Sequence, residues 1–357
     1  MSSNNLSDGD GARESLRLVS ERVAAIPAAL EATLRRDPLA LPGDPLARRF
    51  AVTGGGLSEG PARFLGALLA DELGLRARFV SLSQFAAPDP GLDGETVILV
   101  SQGLAPNARL PLLHQARYAA LVILTSVLPD DAAPAGSPRR LLAEARARGA
   151  LVETLPPADE SGLLIRVIGG ATAALAGARL VSALGEALGR APLDVAAVPA
   201  AYAAALARPR PRLAVDGALA PVALIASGRY TDYAFAQRWK LLEGLRLPDP
   251  PIWDVLGFAH GPFQEVHGRP FTLVALERGL AHEATLLDRL ARLLRPHHRL
   301  LRLPSTLPGP LAWFEHDAQV NGLVVDGLTD RPLDLGRWPG FGEDGPIYDV
   351  ASIVSPA

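Results

Sequence analysis

Lys240, Glu243 and His260 are the residues whose types and spacing could carry acid–base chemistry. Lys240 and Glu243 lie three positions apart, so they share one face of the helix predicted over residues 230–245. A carboxylate with a tuned pKa can act as a general base, and a cation can stabilise negative charge on a substrate oxygen. The same spacing is typical of a surface ion pair, and a single histidine before Gly-Pro is more often structural. The residue types alone leave both interpretations open.

Glycines and polar side chains follow several predicted strands, at the positions where parallel sheets bind ligands. In Gly54–Ser58 the glycines would let the backbone approach an anion at the start of the next helix. Helix capping and turn formation explain the same residues equally well. The run lacks the third glycine of a dinucleotide fingerprint and the lysine of a Walker loop. The candidate binding residues are Gly56, Ser58, Ser101, Gln102, Asn107 and Ser227.

Strands and helices alternate along the chain, which predicts two α/β units, each with a parallel sheet covered on both faces. The segment 311–314 is predicted as a further strand, and a long Ala-rich helix is predicted over 162–188. We expect a disordered tail over 1–13, an N-terminal helix over 14–39, a first unit over 40–195, a linker over 196–210, a second unit over 211–340 and a C-terminal tail near the site over 341–357.

The composition narrows the classes of function. The chain has 357 residues, no cysteine and a net charge of −3, which argues against disulfide frameworks, cysteine-ligated zinc and a nucleic-acid-binding role. No apolar stretch is long enough for a membrane helix and no secretory signal is present, so we expect a cytoplasmic protein without membrane contact. We assign no metal to His297-His298.

Lysine occurs once, at Lys240, against 34 arginines. Where codon bias favours arginine, a surviving lysine marks a position that needs a compact ammonium with an adjustable pKa. The sequence therefore predicts that Lys240→Arg impairs turnover far more than stability.

Five segments, taken together and in order, resemble the tandem sugar isomerase (SIS) domain family. Within that family they resemble the isomerase half of glutamine-dependent glucosamine-6-phosphate synthases, without the glutaminase domain. The resemblance covers about residues 14–340 and implies two SIS domains, each a flavodoxin-like α/β/α sandwich. The segments that carry it are Gly54–Ser58, Thr96–Gln102, Arg238–Glu243, Ala259–Pro262 and Thr329–Arg337.

The resemblance implies a role for each matching residue. Glu243 would move a proton between C1 and C2 of the open-chain sugar, and Lys240 would stabilise the substrate oxygens. His260 would open the sugar ring, in this family often from the neighbouring subunit, which implies a homodimer with a shared active site. Ser58, Ser101 and Gln102 would hold the phosphate or the sugar. The chemistry needs neither metal nor cofactor.

Several departures from the family pattern leave the substrate open. The segment 101–107 lacks two hydroxyl donors of the family's phosphate loop, and 163–167 replaces the family's Val-Ala-Ser-Thr-Lys. Arg337 stands where the family has a lysine near the C-terminus, but it stays protonated and cannot act as a base.

The sequence thus predicts a sugar-phosphate or amino-sugar-phosphate isomerase or deaminase that acts through an enediol or enediolamine on a small carbohydrate. One alternative is an SIS-fold deglycase, or a specialised-pathway enzyme acting on a sugar- or ribose-derived metabolite. The other is a non-catalytic module that binds a phosphosugar and regulates a partner.

Overall fold

A computed structural model describes residues 8–87, 90–213, 219–348 and 350. Its nine strands are β1 (Arg49–Thr53), β2 (Arg76–Phe79), β3 (Thr96–Val100), β4 (Ala120–Thr125), β5 (Leu151–Thr154), β6 (Val222–Ala226), β7 (Ile252–Asp254), β8 (Phe271–Glu277) and β9 (His298–Pro304). The helices in the same residues are α1 (Asp8–Leu34), α2 (Glu59–Asp71), α3 (Leu110–Leu113), α4 (Pro138–Ala147), α5 (Ile168–Ala187), α6 (Val198–Ala207), α7 (Tyr230–Tyr233), α8 (Phe235–Leu245), α9 (Pro262–Val266), α10 (Ala281–Leu293), α11 (Ala312–Asp330) and α12 (Gly345–Tyr348).

The chain divides into two compact units, named here by their sheets. The five-stranded unit contains Ala28–Asp159, Ile168–Ala196 and the residues from Pro339 onward. The four-stranded unit contains the residues up to Pro27, Glu160–Val167 and Ala197–Trp338. These boundaries differ from the contiguous ones expected from the sequence, because Glu160–Val167 belongs to the four-stranded unit.

Every strand pair in the five-stranded unit is parallel, in the order β2-β1-β3-β4-β5. This is the flavodoxin-like order, with its switch point between β1 and β3. Every residue of β3 is buried, as expected of a continuous Val/Ile/Leu run covered on both faces.

Helix α5 is unusually apolar, and it lies in the core of the five-stranded unit. Among the described residues, α5 is the one helix that is long and apolar enough to cross a membrane. In the fold, 83% of its most apolar 18 residues are buried. It packs on α2, where a Cβ on Gly177 would lie 3.4 Å from the Leu65 side chain. Its apolar composition therefore reflects packing within the unit.

The four-stranded unit repeats the same parallel pattern, in the order β7-β6-β8-β9. The seven residues of β8 are all buried. A cluster around β6 and β8, including Ile225, Phe258 and Leu273, forms the core on one side. The predicted fold class, two parallel flavodoxin-like units, is confirmed.

Four predicted boundaries are corrected by the structure. Residues 8–13, expected to be disordered, begin α1, while residues 1–7 lie outside the described part of the chain. The expected linker 196–210 contains α6, which has a buried Tyr202. The expected helix at 162 begins at Ile168. The expected strand 311–314 consists of the N-cap residue Leu311 and the start of α11, because this buried apolar run continues into buried polar residues at helical spacing.

Of the expected C-terminal tail, residues 345–348 form the short helix α12. Residue 349 and residues 351–357 lie outside the described part of the chain.

Candidate active site

Helix α8 carries both Lys240 and Glu243, but it places them in different environments. Lys240 is 1% exposed, with Gln237, Leu241 and Gly244 on the same buried side of the helix. Glu243 is only partly buried. The helix ends where Arg246 adopts a left-handed conformation, with φ of 51°. Helical spacing therefore brings one residue into the core and the other to its edge.

Lys240 belongs to a buried polar network between α8, α11 and α6. Its Nζ donates a hydrogen bond to Asp317 Oδ1 at 2.7 Å. Asp317 Oδ2 accepts a hydrogen bond from Tyr202 Oη at 2.9 Å and one from Asn321 Nδ2 at 3.2 Å. Burial lowers the pKa of the Lys240 ammonium, and the charge of Asp317 opposes that shift. The ammonium faces Asp317 instead of an open cleft, which differs from the substrate-facing position expected from the sequence.

Glu243 lies on the same helix as Lys240 but has a different environment. Among the described residues, no hydrogen bond or salt bridge reaches its carboxylate. Burial raises the pKa of the Glu243 carboxyl to about 8, and the positive charge of Arg166 opposes part of that rise. A carboxyl that titrates near neutral pH beside a cation is typical of a general acid or base.

The segment Glu160–Val167 connects this helix to the C-terminal stretch that carries Arg337. A Cβ on Gly244, the residue after Glu243, would lie 2.8 Å from Ile165 Cδ1. On its other side, Leu164 N donates a hydrogen bond to Leu335 O at 2.8 Å. The segment thus brings Arg166, next to Ile165, close enough for its charge to act on the Glu243 carboxyl.

His260 and Arg337 are exposed in this chain. His260 ends a short turn after β7, where its N–H donates to Gly257 O at 3.0 Å, and Gly261 follows with φ of 106°. In the described part of the chain, no hydrogen bond or ion pair joins His260 to Glu243. The role of His260 in ring opening stays a prediction, and so does the role of Arg337.

Two candidate binding turns lie side by side in the five-stranded unit. Because β1 and β3 are neighbours, the turns that follow them adjoin at the carboxyl edge of the sheet. A Cβ on Gly54 would lie 2.6 Å from Ser58 O and 3.0 Å from Val100 O, so this position requires glycine. Gly56 has φ of 56°, and Ser58 precedes the first turn of α2.

The turn after β3 carries Ser101, Gln102 and Asn107. Ser101 is 5% exposed, whereas Gln102 and Asn107 are partly exposed. The Gln102 carboxamide covers Gly169 near the start of α5, where a Cβ would overlap it at 2.3 Å. The helix start and the carboxamide could both contact an anion. The binding roles of Ser58, Ser101, Gln102, Gly56 and Asn107 stay predictions.

Ser227 lies after β6 in the four-stranded unit, and its carbonyl accepts a hydrogen bond from Arg278 Nη2 at 3.4 Å. The same arginine pairs with the buried Glu283. The next residue, Gly228, donates its N–H to Asp254 Oδ2 at 2.7 Å. This turn is thus held in place by its own unit, and its contact with a ligand stays a prediction.

Comparison with solved structures identifies the fold. No protein family model matches the sequence, and no characterised protein matches it by sequence. The C-terminal domain of glucosamine-fructose-6-phosphate aminotransferase from Francisella tularensis superposes with a TM-score of 0.68 at 12% identity, covering 89% of this chain and 97% of that one. The chain has the tandem sugar isomerase fold.

Two further solved structures also cover most of the chain. Glucosamine-6-phosphate deaminase from Thermotoga maritima has a TM-score of 0.66 at 14% identity, covering 91% of this chain and 97% of that one. Tagatose-6-phosphate ketose/aldose isomerase from Escherichia coli has a TM-score of 0.58 at 15% identity, covering 93% of each chain. The resemblance inferred from short motifs is confirmed at the level of the fold.

Sequence reasoning on this sugar isomerase fold missed two features of the site. The first is the partner of Lys240, because Asp317 lies 77 positions away on a helix predicted in part as a strand. The spacing of Asp317 and Asn321, one helical turn apart, is a signal that could have indicated a polar face. The second is Arg166, which was noted only as a departure from the family pattern.

Proposed function

We propose that the protein is a sugar-phosphate or amino-sugar-phosphate isomerase or deaminase-type enzyme, with Glu243 as the general base. The observation that carries the proposal is the state of that carboxylate: partly buried, without a hydrogen-bond or salt-bridge partner in the described residues, and with its pKa raised to about 8. Buried polar side chains are usually hydrogen-bonded, so a partly buried carboxyl without a partner is a candidate for a functional role. The neighbours' substrates, phosphorylated hexoses by their names, support the substrate class.

The proposed reaction follows from what each residue can supply. Glu243, once ionised, takes a proton from the carbon next to the carbonyl and returns it to the adjacent carbon. Ser58, Ser101 and Gln102, in the turns after β1 and β3, supply hydroxyl and amide groups that can bind a phosphate or a sugar hydroxyl. His260 protonates or deprotonates the ring oxygen and the anomeric hydroxyl when the ring opens.

The exposure of His260 supports the proposed homodimer. An imidazole that projects into solvent from its own chain is available to enter the site of a second copy. If the active site is shared in this way, mixing two inactive variants, His260→Ala and Glu243→Gln, restores activity in the heterodimers. Activity that never returns on mixing would contradict the shared site.

The turn after β3 favours a second candidate function, a deglycase that cleaves an amino-sugar adduct. Residues 103–107 contain no hydroxyl side chain, and Leu104 within them adopts φ of 47°. Such a turn offers fewer donors to a phosphate than the family's loop. The loss of these hydroxyl donors is consistent with a substrate that is bound through a group other than a phosphate. Release of a free amine during turnover would support this candidate over the isomerase.

The experiment that tests the proposed function uses hexose phosphates in deuterated water. Fructose 6-phosphate, tagatose 6-phosphate and glucosamine 6-phosphate are each incubated with the protein, and deuterium at C1 and C2 is followed by NMR. We expect deuterium to enter with at least one of them. Stabilisation of the protein by a sugar phosphate without any exchange would instead support a phosphosugar-binding module.

A further inference from the structure

We infer that Arg166 is the cation that stabilises the oxyanion formed during the proton transfer by Glu243, and that Lys240 does not contact the substrate. This inference rests on the proposed function and deepens it. It assigns a catalytic role to a residue that lies outside the five segments carrying the family resemblance.

The position of Arg166 is fixed by the segment that carries it. Its neighbour Ile165 packs against α8 at Gly244, one residue from Glu243. The segment is closed by a hydrogen bond from Val167 N to Glu160 Oε1 and is tied to the C-terminal stretch through Leu164. Glu160 is 2% exposed, so the closure is part of the core. The backbone at Arg166 is therefore held beside α8 by contacts on both sides.

The guanidinium of Arg166 is available for a ligand. Its side chain is exposed, and within the described part of the chain it makes no hydrogen bond or salt bridge. It lies near enough to Glu243 for its charge to act on that carboxyl, yet the two groups form no salt bridge. An unpaired base and an unpaired cation that lie near each other can both contact the same substrate, the cation at the oxygen where negative charge develops.

Lys240 cannot take this role without breaking its own network. Its ammonium is held by Asp317, which also binds Tyr202 and Asn321, and the exposed fractions of Lys240 and Asp317 are 1% and 0%. Withdrawing the ammonium toward a substrate would leave a buried carboxylate without its counter-charge. Arg166 is exposed and, among the described residues, makes no hydrogen bond or salt bridge, so it can take this role without such a loss.

The proton and electron balance needs no further reactant. Glu243 takes the proton from C2 of the open-chain aldose, the C2–H electron pair forms the C1=C2 bond, and the carbonyl pair moves to the C1 oxygen. Arg166 donates an N–H hydrogen bond to that oxygen while it carries the charge. The C2 hydroxyl proton then passes to the C1 oxygen, and Glu243 returns its proton to C1, giving the ketose.

The test compares Arg166→Gln and Arg166→Lys with wild type by deuterium exchange into fructose 6-phosphate across pH. Arg289→Gln is the matched control, because Arg289 is an exposed arginine of α10 without a hydrogen bond or salt bridge among the described residues. We expect Arg166→Gln to lower exchange at saturating substrate by about 10²-fold. We also expect its pH profile to move to higher pH, since the positive charge beside Glu243 is lost. Arg166→Lys should recover part of the rate, and Arg289→Gln should match wild type.

Three results would count against the inference. Exchange by Arg166→Gln at the wild-type rate, or a loss in apparent affinity alone with an unchanged saturated rate, would overturn the role of Arg166 and leave the proposed function intact. Absence of exchange in wild type with every hexose phosphate named above would overturn the proposed function, and this inference with it.

Discussion

Lys240 Nζ lies 2.7 Å from Asp317 Oδ1 in the interior of the four-stranded unit, with almost no exposure of either side chain. Removing one partner of such a pair leaves a buried charge uncompensated. We therefore predict that Lys240→Met lowers the free energy of unfolding by about 3–5 kcal/mol. Urea denaturation measures the change. The sequence predicts that loss of this lysine would mainly impair turnover. Because the lysine is buried, we expect its loss to lower stability instead.

Arg238→Gln is the matched control on the same helix. Arg238 pairs with Asp249, whose side chain is 63% exposed, so this pair is worth about 1 kcal/mol or less. Equal losses of stability in Lys240→Met and Arg238→Gln would show that the Lys240 pair behaves as a surface pair.

The rate of proton transfer should rise with pH through the pKa of Glu243. A general base acts in its ionised form, and burial raises the pKa of Glu243 to about 8. We predict that kcat/KM increases about tenfold per pH unit below that value and levels off above it. A pH profile in non-coordinating buffers measures this. A rate that is flat between pH 6 and pH 9 would be incompatible with Glu243 as the base.

Glu243 should also make the protein less stable at alkaline pH. Its pKa is about 8 in the folded protein against an ordinary value of 4.5, so the unfolded chain releases the proton first as pH rises. The free energy of unfolding therefore falls as the pH rises from 4.5 to about 8. Glu243→Gln has no carboxyl to ionise and does not show this fall. We predict that the variant equals wild type near pH 4.5 and exceeds it at pH 8.5 by on the order of 2 kcal/mol. Urea curves at both pH values test this, and an advantage that does not grow with pH would contradict it.

Gly244 should be intolerant of alanine although it lies inside a helix. Alanine is favoured over glycine there by roughly 1 kcal/mol from propensity alone. The added Cβ would lie 2.6 Å from Val324 Cγ1 and 2.8 Å from Ile165 Cδ1, however. We predict a net destabilisation of about 1–3 kcal/mol and a loss of activity as the Arg166 segment is displaced. Thermal and urea unfolding measure the first effect, and the deuterium-exchange rate measures the second.

Gly170→Ala supplies the comparison for this substitution. Gly170 is also inside a helix, but a Cβ there would meet nothing within 4 Å. The variant should be as stable as wild type or more so. A stable and active Gly244→Ala protein would show that the Ile165 contact does not hold the site together.

The fold could be predicted from sequence because its signals are local. Buried strands such as Thr96–Val100 are continuous apolar runs, and the glycine turns after them mark the carboxyl edge of the sheet. The strand predicted over 311–314 is wrong because a short apolar run fits a strand and a buried helix equally well. Periodicity alone does not separate the two.

The site could be predicted only in part, because its groups meet across long sequence separations. The shared face of Lys240 and Glu243 follows from helical spacing, but whether each is buried depends on what packs against that face. Asp317 pairs with one of them, and the segment of Arg166 lies beside the other. Neither contact leaves a periodic pattern in the sequence.

The role of Glu243 is tested most directly by measuring deuterium exchange catalysed by the Glu243→Gln variant. The substrate is the hexose phosphate into which the wild-type protein introduces deuterium. We predict that the variant binds the sugar phosphate, judged by thermal stabilisation, and loses exchange by about 10²–10⁴-fold. Glu186→Gln, at an exposed carboxylate of α5, should exchange at the wild-type rate. Exchange by Glu243→Gln at the wild-type rate would contradict the central claim that this carboxylate moves the proton.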